Sequence, residues 1–497
     1  MDTSSRAYRE GFEYHFSRLD PQAAHVDPPA VAVYETLLKR GTDGRPAPRM
    51  AESWEVSQSG LSWDVRLRPG LTFHSGAECD APAVLRALDA LRWDMHVLPS
   101  GRQLWYWDPV DRVEAIDATT LRFHLHHPYS RLYTLLWGTH TAIHNEEARQ
   151  KNPDGFGIRH ADGTGPYRLE TWSDKEIKTV RADGNPHAVQ QASWIALPEI
   201  NDRLSALVEG RVDCVHALNS AAVASLEGDP RYRVERHPQS SSMYMTLDWT
   251  RVEFGFDHPD VRRAVSLAID RERLVSECLE GLGTPTWGPL PAQLAFHNAN
   301  VDAGRRPDIE QSRALLAAHG WLPGPRGICE KNGVELAFDC VVQDDAIFKA
   351  VAQRVAGDLS TIGIDLRVRF ALPFAEFYSE VQRHPASAIS KWLWPDTVEA
   401  LKGFSSSTTA PFPNWQRSTE PALDSAFDQF TRAQNEAEEQ KAADSVQSIF
   451  AETLPYIPLL TPDDVWAWRS ELLGFSPQRG DLYPLYDGLR WSSEQKA

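Results

Sequence analysis

Cysteine is scarce in this chain. Five occur among 497 residues, at Cys79, Cys214, Cys278, Cys329 and Cys340, an odd number at scattered positions. Such usage does not build a disulfide framework. Cys329 and Cys340 flank a hairpin turned at Asn332-Gly333. Counting back from that turn sets Cys329 opposite Leu336 and not Cys340, so no bond between the two is expected, and buried free thiols are the better reading.

Other absences narrow the function. No run of about 18 apolar residues occurs, so no segment is expected to span a membrane. Met1-Asp2-Thr3-Ser4 has neither a basic nor an apolar leader region, which leaves a cytosolic protein or a mature form whose signal has been removed. Gly163-Thr164-Gly165 is followed by Pro166 where a phosphate loop needs Lys-Ser/Thr, so a structural turn is expected. No Gly-x-Ser-x-Gly elbow occurs, and no Ser/His/Asp set stands out. His124, His126 and His127 have no carboxylate or cysteine at ligand spacing, and a solvent-facing strand is expected there in place of a metal site. Basic residues are outnumbered, 51 against 69 acidic, for a net charge of −18, which excludes nucleic acid and anionic membrane surfaces as partners. With so many acids, chance carboxylate pairs are inevitable, and no pair points to acid-base catalysis.

What is present is a long α/β pattern. The length calls for two or three lobes. Leu61, Trp63, Val65 and Leu67 alternate with polar residues, as do Leu121, Phe123 and Leu125, the period of half-buried strands. Leu71 and Phe73 resume the alternation after Arg68-Pro69-Gly70. Helices are expected at 201–209 before Gly210, from Pro259, from Arg271 to Leu279, from Asp308 to His319, along the Ile347–Ile362 stripe, and twice within 421–454. Val212–Val215, Ile364–Phe370, Ser387–Ser390 and Pro455–Leu460 are expected to be extended, and the Glu438-Glu439 run to lie on a solvated helix face.

Two aromatic clusters lie in loop-like stretches, Trp105-Tyr106-Trp107 and Lys391-Trp392-Leu393-Trp394-Pro395-Asp396. Neighbouring aromatics cannot all face one core, so at least one of each set is expected to meet solvent or a ligand.

The order of motifs along nearly the whole chain resembles the large extracytoplasmic solute-binding proteins, family 5, of peptide, nickel, oligosaccharide and opine ABC importers. The matches are Leu19-Asp20-Pro21, Ala51-Glu52-Ser53-Trp54, Leu71–Gly76 (LTFHSG), Asp117–Leu125 (DATTLRFHL), Gly163–Tyr167 (GTGPY), Asp202–Asp213 (DRLSALVEGRVD), Asp260–Leu274 (DVRRAVSLAIDRERL), Ile362-Gly363-Ile364 and Leu454–Leu460 (LPYIPLL). The resemblance implies a periplasmic-binding-protein type II fold. Lobe I would be 1–243 plus 462–497 with an inserted subdomain at about 41–160, lobe II 244–461, and hinge segments near 244–248 and 457–462. It also implies export to the periplasm or cell exterior, tethered if a lipoprotein, and a monomer that delivers a small solute to ABC permease transmembrane subunits. No cofactor and no catalytic residue are expected.

Peptide binders of the family place an Asp after the Trp-containing segment to meet the ligand ammonium. The matching stretch here, Gly403–Thr408, has no acid. A buried ammonium without a counter-charge is costly. Hydroxyls and tryptophans suit a sugar-like, oligosaccharide or opine-like solute, which is expected ahead of a peptide. The expected ligand contacts are Trp394, Trp392, Lys391, Asp396, Ser405, Ser406, Tyr106, Trp107 and Tyr244, gathered in a cleft between the lobes. An oligopeptide or dipeptide is the alternative within the family; a carbohydrate-active enzyme or a cytosolic sensor domain is the alternative outside it. Trp394→Ala is expected to weaken solute binding in calorimetry; an unchanged affinity removes Trp394 from the site.

Overall fold

The computed structural model describes residues 6–21, 29–41, 44–94, 107–371, 374–383, 385–391, 398–410, 413–477 and 484–492. Contacts divide the chain into two units, residues 1–237 with 464–497, and residues 238–463.

Unit 1 begins with β1 (Tyr8–Phe12), and its two larger sheets frame its cores. The smaller holds β2 (Ala51–Val56), β3 (Ser62–Leu67), β4 (Val110–Ala115) and β5 (Thr120–Leu125), antiparallel in the order β2-β3-β5-β4. The alternating residues behave as their period requires. Trp63, Val65 and Leu67 on β3 and Leu121, Phe123 and Leu125 on β5 are buried with Val84, Ala87 and Leu88 of helix α1 (Ala81–Asp94). On the other face Arg122 makes a two-pronged ion pair with Asp64, both contacts 2.6 Å, and His124 Nε2 meets Glu114 Oε1 at 2.8 Å. His124 is thus held in a cross-strand pair, and among the described residues no group of three or more ligating side chains is placed to hold a metal. Leu71–Phe73 is not a strand. A single bridge joins Thr72 to Glu78, and the Phe73 amide closes a turn on the Ala77 carbonyl at 2.8 Å.

The larger sheet of unit 1 adds β6 (Tyr167–Trp172), β7 (Glu176–Arg181), β8 (Gln191–Ala196) and β9 (Cys214–His216). β1 is parallel to β8 on one side and to β9 on the other. Helix α2 (Ile200–Val208) makes the crossover from β8 to β9 and ends before Gly210, whose φ of 78° only glycine adopts freely. Just before β9, fully buried Asp213 accepts from the Arg9 amide at 3.0 Å and pairs with Arg6, Arg9 and Arg469 at 3.2, 3.2 and 3.7 Å.

Unit 2 holds β10 (Met243–Leu247), β11 (Ala337–Gln343), β12 (Asp365–Ala371), β13 (Ser387–Lys391) and the first part of β14 (Ile457–Arg469). The order is β12-β11-β13-β10-β14, with β11 parallel to both β12 and β13 and β10 antiparallel to β13 and β14. Pro259 takes the first position of helix α3 (Pro259–Ala268), and α4 (Ala346–Ser360) puts Val351, Val355 and Leu359 into the same core. Ile347, at the start of the helix stripe, and Phe370, near the end of β12, are exposed. A second core forms against α5 (Pro421–Arg432) and α6 (Glu436–Thr453). Glu438 is solvated, but its neighbour Glu439 is buried. Residues 274–278, expected to continue a plain α-helix, form a π-turn. All five cysteines are free, and the Leu336 amide donates to the Cys329 carbonyl at 2.7 Å, the register that keeps Cys340 away from Cys329.

Asp213 is not the only carboxylate that unit 1 buries whole. Glu10 on β1 accepts from the hydroxyls of Tyr8 at 2.6 Å and Tyr486 at 3.0 Å, and Trp194 donates to the Tyr486 oxygen at 3.2 Å. Burial pushes its carboxyl up to about 7, against the opposing pull of His216 and the donated bonds. The unfolded chain loses this proton first. The folded state therefore loses stability as pH rises from about 4.5 through about 7, and the loss is complete above that range. A shift from 4.5 to about 7 corresponds to roughly 3 kcal/mol. Glu10→Gln is expected to match the parent near pH 4.5 and to exceed it by up to that amount near pH 8 in urea unfolding. A gap that stays constant across that range refutes the buried carboxyl as its source.

Candidate functional site

Parallel strands deliver their carboxyl ends to one edge of a sheet, and open α/β sheets bind ligands outside that edge. In unit 1 the edge is formed by Phe12-Glu13-Tyr14 after β1, Leu197-Pro198 after β8, and His216-Ala217 at the end of β9. His216 is 7% exposed, and its Nδ1 lies 3.0 Å from Glu13 Oε2. Its ring stacks on Trp466 with centroids 4.6 Å apart and planes at 18°, and meets the ring of Phe12 edge-on at 4.2 Å. Trp466 in turn donates to Asp464 Oδ2 at 2.6 Å. Burial pulls the imidazole down, but Glu13 above all, then Asp464 and Glu10, outweigh it and leave the ring easier to protonate than usual.

Arg203 of α2, also buried, fixes the loops behind this edge. Its guanidinium donates to the carbonyls of Leu197 and Pro198 at 2.7 Å each and of Ala217 at 2.8 Å. Ala217 has a φ of 54°, a left-handed conformation that costs a residue with a Cβ free energy and persists only where its surroundings enforce it.

In unit 2 the corresponding edge includes Gln343 at the end of β11 and Lys391 at the end of β13. Lys391 is half-buried, and its ammonium donates to Gln239 Oε1 at 3.1 Å. Gln239 opens the segment leading into β10, followed by buried Ser240, Ser241 and Ser242. The Ser242 hydroxyl meets Thr461 Oγ1 at 2.9 Å, and Thr461 meets Thr286 Oγ1 at 2.9 Å.

The other expected contacts separate into two sets. Trp392, Trp394, Asp396 and Tyr106 lie outside the described residues. Trp107, Ser405, Ser406 and Tyr244 lie in interiors. Trp107 belongs to the apolar core under the small sheet. Tyr244 is 1% exposed, with its ring 4.7 Å from that of Tyr456, and burial raises its phenol above the ordinary range. Ser405 sits on a helix and bonds back to the Leu401 carbonyl at 2.5 Å. Ser406 donates to Asp424 Oδ1 at 2.7 Å, and Ser407 also bonds that carboxylate. The hydroxyls of Ser405 and Ser406 are thus bonded inside unit 2, and a carboxylate reaches Ser406 and Ser407 from α5. Glu13, His216 and Trp466 were missed, because they come from three distant segments and share no local pattern.

Known proteins match along nearly the full length. The family described as bacterial extracellular solute-binding proteins, family 5, matches residues 45–413. The glutathione-binding protein GsiB of Escherichia coli O6:K15:H31 is 24% identical over 489 residues, covering 93% of this chain and 90% of the relative. The oligopeptide-binding protein AppA of Bacillus subtilis, solved with a nonapeptide, superposes with a TM-score of 0.83 at 18% identity, over 98% of this chain and 99% of that one. AgaA of A. tumefaciens R10, solved with agropinic acid, gives 0.82 at 19% identity and covers 99% of both chains. These likenesses carry the α/β fold of the periplasmic binding proteins, and among the described residues no helix is long and apolar enough to cross a membrane. The chain belongs to the bacterial extracellular solute-binding proteins of family 5, the solute-capturing components of ABC importers, which bind their cargo and do not transform it.

Proposed function

We propose that this protein captures a peptide-like solute bearing free carboxylates, of the size and charge of glutathione, and presents it outside the cytoplasmic membrane to the transmembrane subunits of an importer. The observation that carries this reading is the likeness to proteins named for glutathione binding, spread over 93% of the chain. It replaces the sugar-like or opine-like solute that the composition of residues 391–407 suggested. That preference leaned on the hydroxyls of Ser405 and Ser406, which are occupied within unit 2. Lys391 supports the new reading from unit 2. A half-buried ammonium at a strand's carboxyl end suits an anionic group better than a neutral sugar.

The test is a thermal-shift panel of glutathione, dipeptides, oligosaccharides and agropinic acid, followed by calorimetry on whatever stabilises the protein. A true ligand at about 100 times its dissociation constant adds about 2.7 kcal/mol of stability. Glutathione or a dipeptide is expected to do so and oligosaccharides are not; stabilisation by oligosaccharides alone overturns the reading. Lys391→Met is expected to weaken binding of the carboxylate ligand about tenfold, the effect of losing one charge-assisted hydrogen bond.

A further inference from the structure

We propose that His216 is an anion-binding residue of unit 1, its Nε2 donating a hydrogen bond to a carboxylate oxygen of the captured solute. The proposal rests on the peptide-like reading above and extends it to a residue outside every motif that identifies the family.

Three observations carry it. First, His216 Nε2 is buried and has no hydrogen-bond partner among the described residues, although Nδ1 is engaged by Glu13 at 3.0 Å. A buried polar nitrogen left unpaired is unfavourable and calls for a partner. Second, the ring cannot swing to find one. Trp466 stacks on one face at 4.6 Å, and Phe12 closes edge-on at 4.2 Å. Third, a second unmet donor lies beside it. Arg203, tied to the carbonyl of adjacent Ala217, has a buried Nε that also lacks a partner among the described residues.

The charges facing this place come from each element packed on β9. β1 contributes Glu10 and Glu13, β14 contributes Asp464, and α2 contributes Arg203, which Glu13 helps keep charged. Glu199, at the start of α2, adds a carboxylate facing Arg203, and Glu10 is near its midpoint at neutral pH. The group holds donors that lack acceptors, His216 Nε2 and Arg203 Nε. An acceptor oxygen satisfies it, and a carboxylate does so most strongly against an imidazolium.

The sign of the pH effect follows. A carboxylate binds the protonated ring best, so affinity is full at low pH and is lost as pH rises through the raised His216 value. Calorimetric titration of the full chain with glutathione from about pH 5.5 to 8.5 tests this. The parent is expected to lose at least tenfold in affinity across the range. His216→Gln is expected to lose at least tenfold near pH 6 and to show no pH step. Glu13→Gln keeps the donor but removes the carboxylate that props up its charge, so its step is expected at lower pH than the parent's; a merely structural histidine gives no such displacement. A His216→Gln profile that keeps the parent's step, or an affinity within twofold of the parent near pH 6, overturns the proposal, as does an unmoved step in Glu13→Gln. If glutathione does not bind the parent but agropinic acid does, the peptide reading falls and the same three proteins titrated with agropinic acid decide His216. If neither binds, both readings are overturned.

Discussion

One strand, β14, has to be held at both of its ends, and buried charge does the holding. In unit 2 the Arg271 guanidinium, 1% exposed, gives two bonds to the Pro458 carbonyl at 2.9 and 2.7 Å, others to Ser266 and Thr286, and lies 3.7 Å over the ring of Trp287. Burial pulls it down to about 9, still far above neutrality, so it remains a cation surrounded by carbonyl dipoles. Arg262 does the same for the chain just before β14, donating to the carbonyls of Thr453 and Leu454. In unit 1 the far end of the strand brings Arg469 to Asp213, which also gathers Arg6 and Arg9 from the beginning of the chain. Buried charges left without these partners are far costlier than exposed ones, so the register of β14 is strongly specified.

This explains what the family motifs are for. Arg262 and Arg271 are the two buried arginines of Asp260–Leu274, Pro458 belongs to Leu454–Leu460, and Asp213 closes Asp202–Asp213. Gly163 and Gly165 are glycine for a steric reason: a Cβ on either would stand 2.3 or 2.4 Å from a backbone oxygen of Val33 or Ala32. Their carbonyls receive the His74 amide at 2.9 Å and face its Nε2 at 2.8 Å, so two motifs far apart in the chain are read out as one contact. The residues that identify the family mainly hold the frame together.

That division decides what was legible in the sequence. Period-2 alternation located β3 and β5 because one face is buried and the other paired in charge, and Asp308 announced its helix because its carboxylate caps the Gln311 amide at 2.8 Å. Alternation misled at Leu71–Phe73, where the Phe73 amide closes a turn on Ala77 just before His74 meets Gly163 and Gly165. The site was harder to read. Ser405 and Ser406 looked available only because Asp424, eighteen residues beyond Ser406, is invisible to local reading. Trp107 and Tyr244 resembled ligand platforms, yet they fill cores. Glu13, His216 and Trp466 are assembled purely by strand pairing, a long-range event that leaves no spacing to recognise.

The shared strand also dictates an order of synthesis. Unit 2 is one unbroken stretch, residues 238–463, and every pairing partner its sheet needs has left the ribosome once Asp463 has. Unit 1 is in two pieces, and β9 pairs with β1 on one side while its other edge waits for Trp466–Trp468. Its central strand therefore stays open at one edge through most of translation. An open edge of that kind is where a nascent sheet is exposed to wrong partners, and in this chain the remedy comes only after the whole of unit 2 has been made.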